Sequence, residues 1–438
     1  MAIVQPELLS KAAIKPSTPT PNNLKTYEFS FLDYLTPHTY TRNIFFFKNE
    51  LSDHDPPAIS DLKDSLAKVL SKYYPFAGRI KDKSSIDCND EGVEFFESRI
   101  ACRLVDVLEE PDMEKMSRFL PLSDDSQSKD YDFKSLAVFQ VTRFDCGGIA
   151  VGSWISGKVG DAESVASFLN DWAAVTVDRS KLLSVHPLFV GAEVLPTISL
   201  YTPSPAPEKT SFPTTRLVFE ASKIDALKAE ARKGGAKPVE SQVSGEAVVA
   251  ALIFKNMAAA MESSSSSKKC MMDYVVNLRG KTNPPLPENS IGNFFLHDFI
   301  IVSDEEMNLT GILEKLDACT AEIDVKYSKK DSANEWSTAM YKAFVKAFKM
   351  MVMDRREVLL FTSCCRLPLY DVDFGWGKPI WVGTTRIPGK NFVILLNTRR
   401  ADEIEAWVSF RDEEAMDIFQ HNEELLSFAS LNPTIPLN

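Results

Sequence analysis

The segment Gly152–Trp172, GSWISGKVGDAESVASFLNDW, changes within one short stretch from a strand pattern to a helix pattern. Alternating apolar residues come first, a polar turn follows, and Asp161 then opens a helix with apolar residues at helical spacing. A strand that leads through a polar turn into an amphipathic helix indicates a mixed α/β fold.

Further motifs are spread in order over nearly the whole chain. They are the opening string Ser10–Asn22 followed by FSFLDYL (Phe29–Leu35), YPFAGR (Tyr74–Arg79), NLR (Asn277–Arg279) with the later pair Gly292-Asn293, and DFGWG (Asp373–Gly377).

Together with the turn, these motifs resemble the BAHD acyltransferases, plant enzymes that move an acyl group from coenzyme A to an alcohol or amine. The opening is most similar to the alkaloid-modifying branch. The resemblance implies an α/β fold of two similarly folded chloramphenicol-acetyltransferase-like domains with a tunnel at their interface. Coenzyme A would enter this tunnel from one face and the acceptor from the other.

The turn departs from the family at one position. The family pattern is roughly S-H-K-x-x-D, and here Ser156, Lys158 and Asp161 are retained while Gly157 stands where the catalytic histidine belongs. Acyl transfer needs a base for the acceptor's proton and hydrogen-bond donors for the oxyanion. A positioned base contributes about 10²–10⁴-fold, so its loss costs about 3–5 kcal/mol of transition-state stabilisation unless another group compensates.

The resemblance also gives roles to other residues. Asp161 is expected to order the turn by pairing with Arg279, or to cap its helix. Asp373 and Gly375 are expected to brace a loop remote from the reacting atoms. Trp376 either donates its indole N–H toward the oxyanion or packs in a core. We expect Ser156, Ser244 and Asn293 to bind substrate or cofactor. Ser244 is a candidate phosphate contact, although no basic residue is obvious beside it in the sequence.

Histidines elsewhere are the candidates for a substitute base. His38 is the preferred one, because its segment corresponds to the acceptor end of the family's tunnel. His297 follows Gly292-Asn293 on a predicted strand and is the second candidate. His54, His186 and His421 are interpreted as surface residues. Lys158 is expected to point to solvent.

Composition limits the partners and the compartment. A net charge of −12 argues against nucleic acid and anionic membrane surfaces. Seven cysteines without metal-ligand spacing predict neither a disulfide framework nor a metal site. The first residues resemble no signal or transit peptide, and we find no long apolar run. We expect a cytoplasmic monomer without a permanently bound cofactor, with acyl-CoA as candidate co-substrate and a small-molecule acceptor.

The chain is predicted to divide in two. A Pro- and Ser-rich stretch, residues 191–214, is interpreted as a crossover between an N-terminal domain, 1–190, and a C-terminal domain, 215–438. Helices are predicted over residues 58–74, 246–261, 305–327, 334–352 and 412–428.

Three functions remain open from the residues. The first is an acyl-CoA-dependent O- or N-acyltransferase that works without the usual base. The second is an enzyme on the same fold with another reaction, such as a lyase, cyclase or isomerase, in which substrate positioning lowers the barrier. The third is a catalytically silent binding protein, since a fold does not fix its chemistry.

Overall fold

The computed structural model describes residues 5–48, 58–111, 113–121, 135–197, 212–233, 243–264, 268–282, 285–327, 333–353, 355–385 and 389–437. His54 lies outside the described residues, as does part of the predicted crossover.

The strands of the described residues are, in chain order, β1 (Glu7–Ile14), β2 (Thr26–Glu28), β3 (Tyr40–Phe47), β4 (Arg79–Ile80), β5 (Ser85–Asp87), β6 (Val93–Ile100), β7 (Ala137–Phe144), β8 (Ile149–Ser156), β9 (Thr214–Phe219), β10 (Cys270–Asn277), β11 (Phe295–Ile300), β12 (Glu357–Ser363), β13 (Trp381–Gly383), β14 (Phe392–Asn397), β15 (Ile404–Ser409) and β16 (Ser430–Leu431).

The α-helices are α1 (Phe31–Leu35), α2 (Ile59–Leu70), α3 (Leu104–Leu108), α4 (Met113–Ser117), α5 (Ala162–Val177), α6 (Gly191–Val194), α7 (Ala221–Lys233), α8 (Gly245–Ser263), α9 (Leu309–Tyr327), α10 (Ala333–Met353), α11 (Glu413–Gln420) and α12 (Glu423–Phe428). Among the residues whose placement is described, no helix is long and apolar enough to cross a membrane.

Two mixed sheets organise the molecule, each with its own hydrophobic core. The first has the strand order β1-β6-β7-β8-β3-β13, and α2 and α5 contribute to its core. The second has the order β11-β10-β12-β14-β15-β9-β16, and α7, α8 and α9 contribute to its core. A small sheet, β2-β5-β4, stands beside them. The expected α/β fold with two domains is therefore present, one domain around each large sheet.

Strand β13 links the two domains, because it comes late in the chain yet pairs with β3 of the first sheet. Its Trp381 stacks on Phe46 of β3, with ring centroids 5.5 Å apart, and on Trp407 of β15, with centroids 6.1 Å apart. The first sheet thus includes residues from beyond 215. The division at 191–214 stays a prediction.

A buried ion pair fixes this junction. Arg216 Nε of β9 donates to Glu405 Oε2 of β15 at 2.8 Å, and the two side chains are only 3% and 4% exposed. The carboxylate also accepts from the indole N–H groups of Trp407, at 2.7 Å, and Trp381, at 3.3 Å. Every buried charge here has a partner, as burial requires.

The predicted helices are present at 59–70, 245–263, 309–327 and 333–353, but the helix predicted over 412–428 is wrong as a single element. It is two helices, α11 and α12. The chain leaves helical geometry at His421, and the Asn422 side chain then accepts from the backbone N–H of Leu425, capping a new helix.

We predict that Arg216→Met lowers the free energy of unfolding by about 3–5 kcal/mol, because it leaves the buried Glu405 carboxylate without its cation. Adding Glu405→Gln should restore a large part of the loss. Urea denaturation measures both. The matched control is Lys378→Met, which removes an ion pair to Asp371 between side chains 61% and 58% exposed and should cost about 0–1 kcal/mol. Equal losses for the two single variants would contradict the prediction.

Candidate active site

The turn between β8 and α5 lies at the boundary of the two domains. The Gly157 N–H donates to the carbonyl of Thr39, and the Gly157 carbonyl accepts from Asn293 Nδ2 at 2.7 Å. Asn293 precedes β11 of the second sheet. The position that lacks the histidine is therefore held by backbone hydrogen bonds on one side and by the second domain on the other.

Asp161 performs both roles that the sequence left open. Its Oδ1 accepts from the backbone N–H and the hydroxyl of Ser164, at 3.0 and 2.9 Å, which caps α5. The same carboxylate forms a bidentate ion pair with Arg279, with Nη1–Oδ2 at 2.8 Å and Nη2–Oδ1 at 2.9 Å. The side chains are 11% and 5% exposed. With its oxygens committed to donors, Asp161 is suited to holding the turn and not to accepting a proton.

Backbone groups of the second domain complete this junction. The N–H of Phe294 donates to Asp161 Oδ2 at 3.0 Å, and the Arg279 guanidinium donates to the carbonyl of Ser290. The backbone N–H of Gly292 donates to the Ser164 hydroxyl at 3.1 Å. Gly292 has φ of +143°, a conformation that residues with a side chain rarely adopt. Residues of both motifs, NLR and Gly292-Asn293, therefore form hydrogen bonds that hold the turn in place.

A second buried carboxylate crosses the interface nearby. Asp33 of α1 accepts from the backbone N–H and side-chain N–H of Asn293, at 3.0 and 2.7 Å, and from the hydroxyl of Tyr27. Burial raises the pKa of Asp33, while the hydrogen bonds from Ser30 and Asn293 oppose this rise. Sequence reasoning missed Asp33. The available signal was the spacing Ser30-x-x-Asp33, the capping box that the structure shows at α1.

A Cβ at residue 157 would fit tightly. A Cβ placed on Gly157 would meet the Thr36 methyl at 3.1 Å and the carbonyl oxygens of Thr39 and Pro37 at 3.6 and 3.7 Å. The methyl would need to shift by only a few tenths of an ångström. A side chain here would project toward the loop between α1 and β3.

That loop carries His38. The His38 ring is exposed and lies against Tyr40, with centroids 5.4 Å apart. Because the Thr39 carbonyl accepts from Gly157, the structure brings the His38 segment beside the turn. His186 and His421 are exposed elsewhere on the chain.

Lys158 does not point to solvent, contrary to the expectation. Its Nζ donates to the carbonyls of Asp33, at 2.8 Å, and Tyr34, at 3.2 Å, and lies 5.2 Å from the centroid of Phe29. Burial lowers the pKa of Lys158 to about 8, and the charge of Asp33 opposes this. The ammonium group satisfies carbonyls of α1, which a sequence cannot show because they belong to a distant segment.

Trp376 is not brought to the turn. Its ring packs edge-on against Phe47, 5.5 Å away, and also contacts Phe374. Phe47 ends β3, whereas Tyr40 at the other end of β3 pairs with Ser156. Seven residues of strand separate these ends by about 23 Å. These contacts favour the packing role of Trp376, and its oxyanion role stays a prediction.

The loop of DFGWG is held by Asp373, whose Oδ1 accepts from the backbone N–H groups of Gly375 and Gly377 at 2.7 and 3.0 Å. Ser156 is fully buried, and its hydroxyl accepts from the N–H of Lys158 at 3.2 Å. Both side chains bind backbone of their own loops, the first within DFGWG and the second within the turn.

Ser244 caps α8, since its hydroxyl accepts from the N–H of Ala247 at 3.1 Å, and it is exposed. The fold supplies the basic side chain that is missing from the adjacent sequence. Arg366 Nε lies 3.5 Å from the carboxylate of Glu246, in the first turn of the same helix, and the Arg366 side chain is 83% exposed.

His297 and Asp273 form a pair that the sequence did not predict. His297 Nδ1 lies 3.0 and 2.9 Å from the two carboxylate oxygens of Asp273. The sequence placed His297 beside Asp298, but that carboxylate instead accepts from the thiol of Cys319 at 2.8 Å.

Comparison with known proteins identifies extensive similarity. Residues 5–426 match the model of the transferase family. Akuammiline synthase 1 of Alstonia scholaris is 35% identical over 97% of both chains, and stemmadenine O-acetyltransferase of Catharanthus roseus is 34% identical over 94% of this chain and 95% of its own. The crystal structure of vinorine synthase superposes with a TM-score of 0.83 at 33% identity, covering 97% of this chain and 99% of that one.

We predict that Asp161→Ala and Arg279→Ala each lower the free energy of unfolding by about 3–5 kcal/mol, because each leaves the other charge buried and unpaired. The double variant should lose clearly less than the sum of the two. Thermal and urea unfolding test this. Removing the exposed Arg99–Glu7 pair, with side chains 63% and 61% exposed, is the control and should cost about 0–1 kcal/mol. Additive losses would show that the two residues act independently.

Proposed function

Because the chain belongs to the BAHD transferase family, we propose that it is an acyl-CoA-dependent O- or N-acyltransferase of plant specialised metabolism that works without a base at residue 157. The observation that carries this proposal is that the contacts which hold the turn are all present, although residue 157 has no side chain. Asp161, Arg279 and Asn293 hold the turn as a catalytic residue would need, yet Gly157 offers no proton acceptor.

Two of the similar proteins are named as acyltransferases, which supports acyl transfer as the proposed reaction. Besides the stemmadenine O-acetyltransferase, a 17,18-epoxy-17-hydroxycur-19-ene N-malonyltransferase of Strychnos nux-vomica is 35% identical over 98% of this chain. These names cover transfer to oxygen and to nitrogen, with acetyl and malonyl groups. Alcohols and amines of alkaloid type are therefore the first acceptors to test.

The start of α8 supports an anionic co-substrate. Exposed Ser244 and Arg366 lie near its N-terminus, where backbone N–H groups favour negative charge. Glu246 occupies part of this region through hydrogen bonding to Ser363 at 2.8 Å. An acyl-CoA phosphate would be held here by Arg366 and the Ser244 hydroxyl.

The second candidate is a BAHD-fold enzyme with another reaction, such as an elimination, cyclisation or isomerisation. The lack of any side chain at residue 157 favours it, because such reactions can depend on positioning the substrate. Binding of a metabolite without acyl-CoA, with turnover that releases no coenzyme A thiol, would favour this candidate. Tight binding without any turnover would favour a silent binding protein.

We predict that acetyl-CoA raises the melting temperature of the wild-type protein, because a ligand that binds the native state stabilises it by about 2.7 kcal/mol at 100 times its Kd. Arg366→Ala should reduce the shift, while Arg99→Ala, another exposed arginine, should leave it unchanged. Absence of any shift at millimolar acetyl-CoA would contradict the acyltransferase proposal.

We further predict that Gly157→His increases acetyl transfer from acetyl-CoA to stemmadenine, since it adds a general base at the turn. Gly157→Ala is the matched control, because it adds the Cβ without the imidazole. Mass spectrometry of the product and release of coenzyme A thiol measure the rate. If Gly157→His binds acetyl-CoA and folds but transfers no faster than Gly157→Ala, the position is not that of a missing base.

A further inference from the structure

His297 lies on the side of the second sheet that turns toward the first domain. Alternate residues of β10 and β11, including Met272 and Leu296, belong to the second core. His297 has the opposite orientation, because side chains alternate along a strand. On β14 of the same sheet, this opposite side carries Phe392 and Ile394, which pack against the first core.

This part of the interface is not fully packed. Val275, which pairs with His297 across β10 and β11, is half-buried, as are Phe295 and Phe299 on either side of the histidine. The His297 side chain is 35% exposed. Its ring lies edge-on to Phe295, at 5.3 Å, and parallel to Phe299, at 6.3 Å. This side of the sheet therefore presents an accessible imidazole between two phenyl rings.

The Asp273 carboxylate, which is only 4% exposed, orients this imidazole. A carboxylate accepts hydrogen bonds, so His297 Nδ1 carries the proton and Nε2 is left for another partner. Among the described residues, no hydrogen bond to Nε2 is found. Burial acts to lower the pKa of His297, but the charge and hydrogen bond of Asp273 outweigh it, so that the pKa is raised.

A short stretch of chain connects the pair to the turn. Asn293, which donates to the Gly157 carbonyl, is four residues before His297, so the Cα atoms of Asn293 and His297 are at most about 14 Å apart. A polycyclic acceptor can span this separation. The same ligand can therefore contact the turn and the imidazole.

We propose that His297, oriented by Asp273, accepts the proton of an acceptor hydroxyl or amine whose apolar body lies against Phe295 and Phe299. This inference rests on the proposed function and names the group that replaces the missing base. The acceptor's O–H or N–H bond breaks, its proton goes to Nε2, and its heteroatom attacks the thioester carbonyl carbon. The C–S bond then breaks, and the departing thiolate takes the proton from the imidazolium, giving the acyl product and coenzyme A.

The first test measures acetyl transfer from acetyl-CoA to stemmadenine. His297→Ala should lower kcat by about 10²-fold or more, with an unchanged KM for acetyl-CoA, and added imidazole should restore part of the rate through the space that the side chain vacates. Asp273→Asn should lower kcat with the same unchanged KM. His421→Gln, at an exposed histidine, is the control and should match the wild type.

His38→Ala supplies the comparison at the loop histidine beside the turn. Rescue of His297→Ala by imidazole, without rescue of His38→Ala, supports the proposal. Wild-type turnover in His297→Ala, or imidazole rescue confined to His38→Ala, would overturn it and assign the proton to the loop histidine.

A second measurement does not depend on turnover. Diethyl pyrocarbonate should carbethoxylate His297 at Nε2 in the folded wild-type protein, as read by peptide mass spectrometry, with His421 as the exposed reference. Failure of His297 to react while His421 does would overturn the accessible imidazole even if acyl transfer is found. If His297 reacts but the wild type transfers no acetyl group to any acceptor, the proposed function fails and the proton-transfer role fails with it.

Discussion

The bidentate ion pair between Asp161 and Arg279 is the interaction on which the candidate site depends. It joins the start of α5 in the first domain to the segment after β10 in the second. The same carboxylate caps α5 and accepts from the backbone of Phe294. One charged group therefore caps a helix, holds the turn and contributes to the contact between the two domains.

Asp33 and Asn293 repeat this arrangement a short distance away. Asn293 binds the Asp33 carboxylate and the Gly157 carbonyl through one amide group. Lys158 adds two hydrogen bonds to carbonyls of α1. Because these contacts use backbone atoms of residue 157 and side chains of its neighbours, the path of the turn does not require a histidine.

Sequence patterns were sufficient where contacts are local or follow a known motif. The strand–turn–helix unit, the α/β fold and the long helices follow from periodicity and from the family resemblance. Groups placed by long-range pairing could not be predicted. Asp273 meets His297 only through the register of β10 with β11, Arg366 reaches α8 from another part of the chain, and Trp376 is directed by aromatic contacts with Phe47. The single predicted helix over 412–428 failed because Asn422 can start a helix as well as occupy one.

The position of β13 has a consequence for any attempt to separate the two halves of the chain. Without residues 381–383, β3 would become an edge strand with unpaired N–H and C=O groups next to Phe45 and Phe46. An N-terminal fragment would then expose an apolar edge strand that can pair with other chains. The sheet of the first half is therefore closed at this side only by residues that come late in the chain.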